Sequence, residues 1–254
     1  MSDFKKLTNF IHDTWILGWY EIKSKYSRST LGPFWITLNT LILISGLSIV
    51  SYSLFGMPMG KMVPWIGFGI ITWNYILTTV DESTTIFLSP ILLNIRTSPF
   101  KFSLINIFKN VIIFSHNLIV AIPIILIFKI DINLNSLFII YGFFILFINS
   151  INFSILIGFL CLRFRDFILI IKNIFYLLFL MTPIFWMPDV LTGLRVLLID
   201  INILYHLIQT VRQPLLGLPI DKLTYLVSIS FTIFSSLLCF LINRRYKKFY
   251  IFWQ

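Results

Sequence analysis

Between residues 4 and 28, Phe4, Leu7, Ile11, Trp15, Gly18 and Ile22 recur at helical spacing, with Lys5, Lys6, Asp13 and Lys23 elsewhere around the turn. The pattern predicts an amphipathic helix that is too polar to cross a bilayer and rich in Trp and Lys. Such a helix suits the plane of a membrane interface; packing on the protein's own body is the alternative. Gly32 and Pro33 break the pattern, and long apolar runs follow. They predict spans at about 34–55, 64–80, 102–128, 134–162, 167–186 and 223–242, since some 20 apolar residues cross about 30 Å of hydrocarbon. The apolar piece at 86–95, flanked by Asp81, Glu82, Arg96 and Lys101, is too short to span.

The stretch 187–220 has a different rhythm. Its two apolar pieces, 190–199 and 203–211, would each measure about 15 Å as a helix, so neither crosses alone. Together they predict a re-entrant helical hairpin dipping into one face, which is permitted where irregular backbone is covered by protein or lines water. The expected architecture is an all-α membrane protein, one domain over 1–254, with six transmembrane helices, an N-terminal amphipathic interfacial helix, and the hairpin before the last span.

Composition strengthens this picture. The 254 residues are 58% hydrophobic and 12% charged, whereas an ordinary soluble domain is about a quarter charged. The net charge of +10 would suggest nucleic acid in a soluble protein. Here Lys and Arg cluster between apolar runs and act as topology signals. Of the 20 basic residues, all but Lys61, Lys129, Arg195, Arg212 and Lys222 fall on the side of the N-terminus when the spans alternate. That bias predicts both termini in the cytoplasm and the hairpin on the opposite, periplasmic face. Lys109 and Lys172, a turn or two into their spans, are expected to snorkel to the headgroups. The first 33 residues contain no apolar core of a signal peptide, so a retained N-terminus is expected.

Candidate chemistry inside the spans is sparse. All 10 acids fall outside them or at their margins, which disfavours proton-coupled carriers and intramembrane enzymes, since these usually place a carboxylate or His within the bilayer. His116, beside Asn117, reads as a hydrogen-bonded packing residue or a relay. Cys161 and Cys239 lie in apolar runs with no second ligand nearby, which favours packing over a disulfide or metal role. No nucleotide-binding loop, zinc-type spacing or nucleophile elbow occurs. No catalytic centre, metal or cofactor is therefore expected in this chain. Asn149 and Asn152 share a helix face, with Ser150 and Ser154 on an adjoining one. They suit helix–helix hydrogen bonding or the wall of a polar conduit.

An ordered set of local motifs goes further. YEIKSKYSRSTLGPFW at 20–35 closely resembles the junction of interfacial helix and first span in type-2 ABC polysaccharide exporters. RFRD at 163–166 resembles the turn after that family's fourth span, and TPIFW at 182–186 the outer end of its fifth. NILYHLIQTVRQPLLG at 202–217 resembles the hairpin of the O-antigen exporters in particular, with Ile203 where these permeases usually have Pro.

The resemblance implies a permease subunit in a bacterial inner membrane. It would pair with a second copy of itself and with two ATP-binding-cassette subunits, which bind the ATP and magnesium. The cargo would be a polyprenyl-diphosphate-linked polysaccharide. By the same resemblance Asp81, Glu82, Arg96, Arg163, Arg165 and Asp166 would couple to the ATPases. Lys25 and Arg28 would attract the lipid diphosphate or simply anchor the chain. Trp35, Trp73, Tyr75, Asn149, Asn152, Trp186, Tyr205 and Arg212 are candidates for a conduit or gate. Teichoic-acid and capsule exporters, and drug or lipid exporters, share the architecture and remain rival readings.

Overall fold

Proline chemistry sets three boundaries in this bundle. Pro99 occupies a first helical turn, where a missing N–H costs nothing, and the Ser98 hydroxyl caps that turn by accepting from the Lys101 amide at 3.3 Å. Pro123 has no N–H for the Ile119 carbonyl, which accepts instead from the Ile122 amide at 3.3 Å, and the helix breaks there. Pro183 disfavours helical backbone at Thr182, whose ψ is 133°. The run expected as a span over 167–186 is therefore helical only over Phe167–Met181.

The computed structural model describes residues 2–25, 29–32, 34–88, 98–188 and 197–246. Its helices are α1 (Ser2–Lys25), α2 (Phe34–Phe55), α3 (Met59–Ser83), α4 (Pro99–Leu118), α5 (Ala121–Phe128), α6 (Ile139–Arg163), α7 (Phe167–Met181), α8 (Leu197–Asp200), α9 (Ile203–Leu215) and α10 (Lys222–Tyr246). Short 3-10 turns stand at Ile86–Leu88 and Leu134–Phe138, and no strand occurs among the described residues. Arg28, Pro33, Arg96, the Lys25 side chain and much of the first half of the expected hairpin lie outside the described residues.

Among the described residues, five segments are long and apolar enough to cross a membrane: Phe34–Phe55, Met59–Leu88, Pro99–Phe128, Leu134–Arg163 and Lys222–Tyr246. Helix α7 has 15 residues, or about 22 Å at 1.5 Å per residue, and none of them is buried. By contrast α3 is apolar and buried nearly all round, from Met62, Ile66 and Phe68 to Trp73, Ile76 and Val80, and forms the centre of the main core. Helix α9 is buried from Leu204 and His206 through Pro214, inserted against α3, α6 and α10.

Small residues permit the closest crossings. A Cβ on Gly142 of α6 would lie 2.3 Å from the Thr210 carbonyl oxygen of α9. On α1 the buried positions Thr14, Gly18 and Ile22 form one stripe, and a Cβ on Gly18 would come within 3.1 Å of the Lys109 backbone nitrogen of α4. That stripe packs on α4, while Ile11, Trp15 and Trp19 stay 43–47% exposed. The amphipathic helix thus has a protein-facing side and a separate exposed apolar side.

Candidate coupling and gate sites

The last turn of α3 is acidic because Asp81 and Glu82 sit where the apolar run ends. Lys109 of α4 reaches it, with Nζ 3.0 Å from Glu82 Oε2 and also 3.0 Å from Glu21 Oε2 of α1. The Lys109 side chain is only 15% exposed. One ammonium therefore ties three helices, and its three donors suit two carboxylates. Beside it Lys172 Nζ of α7 lies 2.8 Å from Asp81 Oδ1. Both lysines, expected to snorkel, are held in ion pairs instead, because acids from neighbouring elements come within reach. Arg163, Arg165 and Asp166 are exposed on the turn between α6 and α7 at this same end.

At the opposite end, the non-helical stretch after α7 is fastened by side chains from other elements. Arg212 Nη1 of α9 donates to the Pro183 carbonyl at 2.9 Å, Ser51 Oγ of α2 to that of Phe185 at 2.6 Å, and Trp65 Nε1 of α3 to that of Trp186 at 3.0 Å. Asn202 caps α9 by accepting from the Tyr205 amide and donates from Nδ2 to the Thr182 hydroxyl at 3.0 Å. Extended backbone away from a helix must pair its carbonyls somewhere, and here side chains supply the donors. Arg212 is fully buried, its guanidinium carbon 4.0 Å from the Trp65 ring centre and pressed against Gly69. Its Nε and Nη2 have no hydrogen-bond partner among the described residues.

Of the other expected conduit or gate residues, Asn149 and Asn152 are buried between α6 and α10. Asn149 donates to Thr232 at 2.7 Å and accepts from Ser235 at 3.0 Å. Asn152 donates to Ser235 and Ser236, each at 2.9 Å. Tyr75 is buried with its hydroxyl 2.9 Å from Ser150 and its ring 4.9 Å from that of Phe114. Trp73 meets α7 through Phe175 and Phe179, at 6.0 and 5.5 Å between ring centres. Trp186 donates to the Leu180 carbonyl at 3.2 Å, and Tyr205 accepts from Gln209 at 2.8 Å. Trp35 is exposed on α2. The His116 ring nitrogen Nδ1 is 2.9 Å from the Ile112 carbonyl of its own helix, a packing geometry.

Sequence reasoning did not single out Glu21, Trp65 or Ser51. Only Glu21 left a usable signal: a lysine two turns inside an apolar run needs an acid from a neighbouring element.

A bundle whose described residues include five membrane-length helices, a buried inserted α9 and a group of ion pairs at one end is a multi-pass membrane protein. The ABC-2 type transporter model matches residues 12–216, and the chain belongs to that family. It is thus the membrane-embedded permease component of an ABC transporter, distinct from the ATPase, in a family that works with ATP-binding-cassette partners. No curated protein matches the chain.

Proposed function

We propose that the chain is the transmembrane subunit of an ATP-driven exporter that moves polyprenyl-diphosphate-linked O-antigen polysaccharide across a bacterial inner membrane. Its termini are cytoplasmic, and α1 lies in the membrane interface with Ile11, Trp15 and Trp19 toward the acyl boundary. Within the stretch 187–220, the described helices α8 and α9 belong to the re-entrant element on the outer face, with α7 and its following segment as a sixth, incomplete crossing. A second copy of the chain completes the conduit, because a unit this small is a natural half of a symmetric pore. Two ATP-binding-cassette subunits dock at the end that carries Arg163, Arg165 and Asp166, and bind the ATP and magnesium. Lys25 and Arg28 attract the lipid diphosphate by charge.

One observation supports this reading most. The two segments that resemble glycan exporters, 182–186 and 202–217, are joined directly by the Arg212–Pro183 and Asn202–Thr182 hydrogen bonds. Segments that far apart in sequence act as one outer unit, as a gate for a long hydrophilic chain requires.

Deleting the gene tests the proposal. Thin-layer chromatography should show lipid-linked glycan accumulating while surface glycan disappears. The full-length gene should reverse this, and a copy lacking residues 1–30 should not. Unchanged surface glycan with no lipid-linked backlog would overturn the glycan reading in favour of a drug or lipid exporter. Loss of teichoic acid or capsule alone would reassign the cargo.

A further inference from the structure

The ion pairs at the α1 end differ in how firmly they hold. Lys109 is enclosed, touches carboxylates from two other helices at 3.0 Å each, and sits where α1 and α4 meet through Gly18 with almost no side chain between them. Separating that ammonium from Glu82, whose side chain is 22% exposed, would strand charges away from water, which costs far more than an exposed pair returns; Glu21 is 47% exposed, and its hold on α1 is reinforced by the Gly18 crossing. Trp15 adds an edge contact with Phe108 at 5.6 Å. The pair between Lys172 and Asp81 is different: its side chains are 39% and 49% exposed, so water and salt compete for each partner. Helix α7, which carries Lys172, buries no residue.

From this contrast we infer that Lys109 welds α1, α3 and α4 into one rigid body, whereas the Lys172–Asp81 pair is a releasable latch holding α7 to that body. Lys109 and Lys172 are positioning residues for ATP-driven transport. The inference rests on the permease reading above. A push on α1 from a docked ATPase is passed by Lys109 to the end of α3, since α1 cannot move against α4 alone. Displacing the end of α3 carries Asp81 away from Lys172 and frees the inner end of α7. The outer end stays fastened through Pro183, Phe185 and Trp186, so α7 pivots there. Such coupling needs a two-state element that both sites bias, and α7, which buries no residue and meets the core through half-buried side chains such as Phe175 and Phe179, is the candidate.

The test uses the complete permease with its ATPase subunits in lipid vesicles. Spin labels are placed at Phe100→Cys on α4 and Ile170→Cys on α7, both exposed, with Cys161 and Cys239 replaced by alanine. In the otherwise unchanged protein, ATP with vanadate should shift the α4–α7 distance distribution. In Lys172→Met the shifted population should dominate without nucleotide, with ATP hydrolysis within about twofold of normal and transport per ATP reduced by about fivefold or more. The charge-reversed pair D81K/K172D should restore the nucleotide-free distribution. The neutral set E21Q/E82Q/K109M removes the weld without stranding a charge, and should abolish the nucleotide-driven shift while K109R keeps it.

If K172M and the neutral set both behave like the unchanged protein, the latch and the weld are overturned and the permease reading stands. If the unchanged complex shows no nucleotide-driven shift and no hydrolysis, the ATP-driven export reading fails and takes this inference with it.

Discussion

The guanidinium of Arg212 stacks on the indole of Trp65 with 4.0 Å between its central carbon and the ring centre, and it is the largest fully buried side chain among the described residues. Among the described residues the cation has the ring, the Pro183 carbonyl and no carboxylate. A desolvated cation on a Trp face gains on the order of 2 kcal/mol, and a charged hydrogen bond about 1.5–3 kcal/mol.

Arg212→Ala should therefore destabilise the protein by roughly 2–4 kcal/mol and loosen residues 182–186, read as a lower melting temperature in detergent and faster amide exchange in that segment. Arg212→Lys should recover little, because an ammonium cannot both stack on Trp65 and reach the Pro183 carbonyl in one plane. Full stability of R212K would show that charge alone suffices.

Gly142→Ala should fail to accumulate as a monodisperse species on size-exclusion chromatography, since its Cβ would meet the Thr210 backbone at 2.3 Å and backbone cannot swing aside as a side chain can. Overpacking of this kind costs about 1–3 kcal/mol. Gly46→Ala is the control: nothing lies within 4 Å of its Cβ, and the variant should behave normally.

Asn149→Ala and Asn152→Ala separate the packing and conduit readings. Each asparagine loses hydrogen bonds to α10, and each variant should lose about 0.6–1.7 kcal/mol in stability with transport per folded molecule unchanged. A variant of normal stability with altered transport would point to a polar wall facing the cargo.

Asn202 and Thr182 should be coupled. Asn202→Ala loses the cap of α9 as well as the Thr182 bond, and should cost about 1 kcal/mol more than Thr182→Ala. The double variant should be less destabilised than the sum of the singles, as a double-mutant cycle of thermal stability can measure.

The helices were largely legible in the sequence because uncharged runs near 20 residues have one meaning in a chain this apolar. The starts of α2 and α4 and the amphipathic α1 fall close to where the spacing placed them. The end of α7 was less legible: the apolar run continues through Ile184, Phe185 and Trp186, and only Pro183 marks the stop. The break near Pro123 was missed for a related reason, since hydropathy does not register a lost amide. The candidate sites were half legible. Asp81, Glu82 and Arg212 stood out as charges beside apolar runs. Their partners Lys172, Lys109 and Trp65 come from distant segments, and pairing across a bundle depends on rotation of each helix about its axis, which no local pattern encodes.

The seam between α6 and α10 has a further consequence. Ser228, Thr232 and Ser235 repeat a hydroxyl at nearly every turn of α10 opposite Tyr141, Asn149 and Asn152, and Thr224, one turn earlier, faces His206 of α9. Sliding α10 by one turn, about 5.4 Å, would offer each partner another hydroxyl of the same chemistry. Polar bonding along this seam therefore cannot specify vertical alignment by itself. That task falls to the rings, with Tyr225 wedged 5.0 Å from Tyr141 and Phe231 6.0 Å from Phe153: the hydroxyls act as an evenly toothed rack, and the aromatic side chains are the pins that choose the notch.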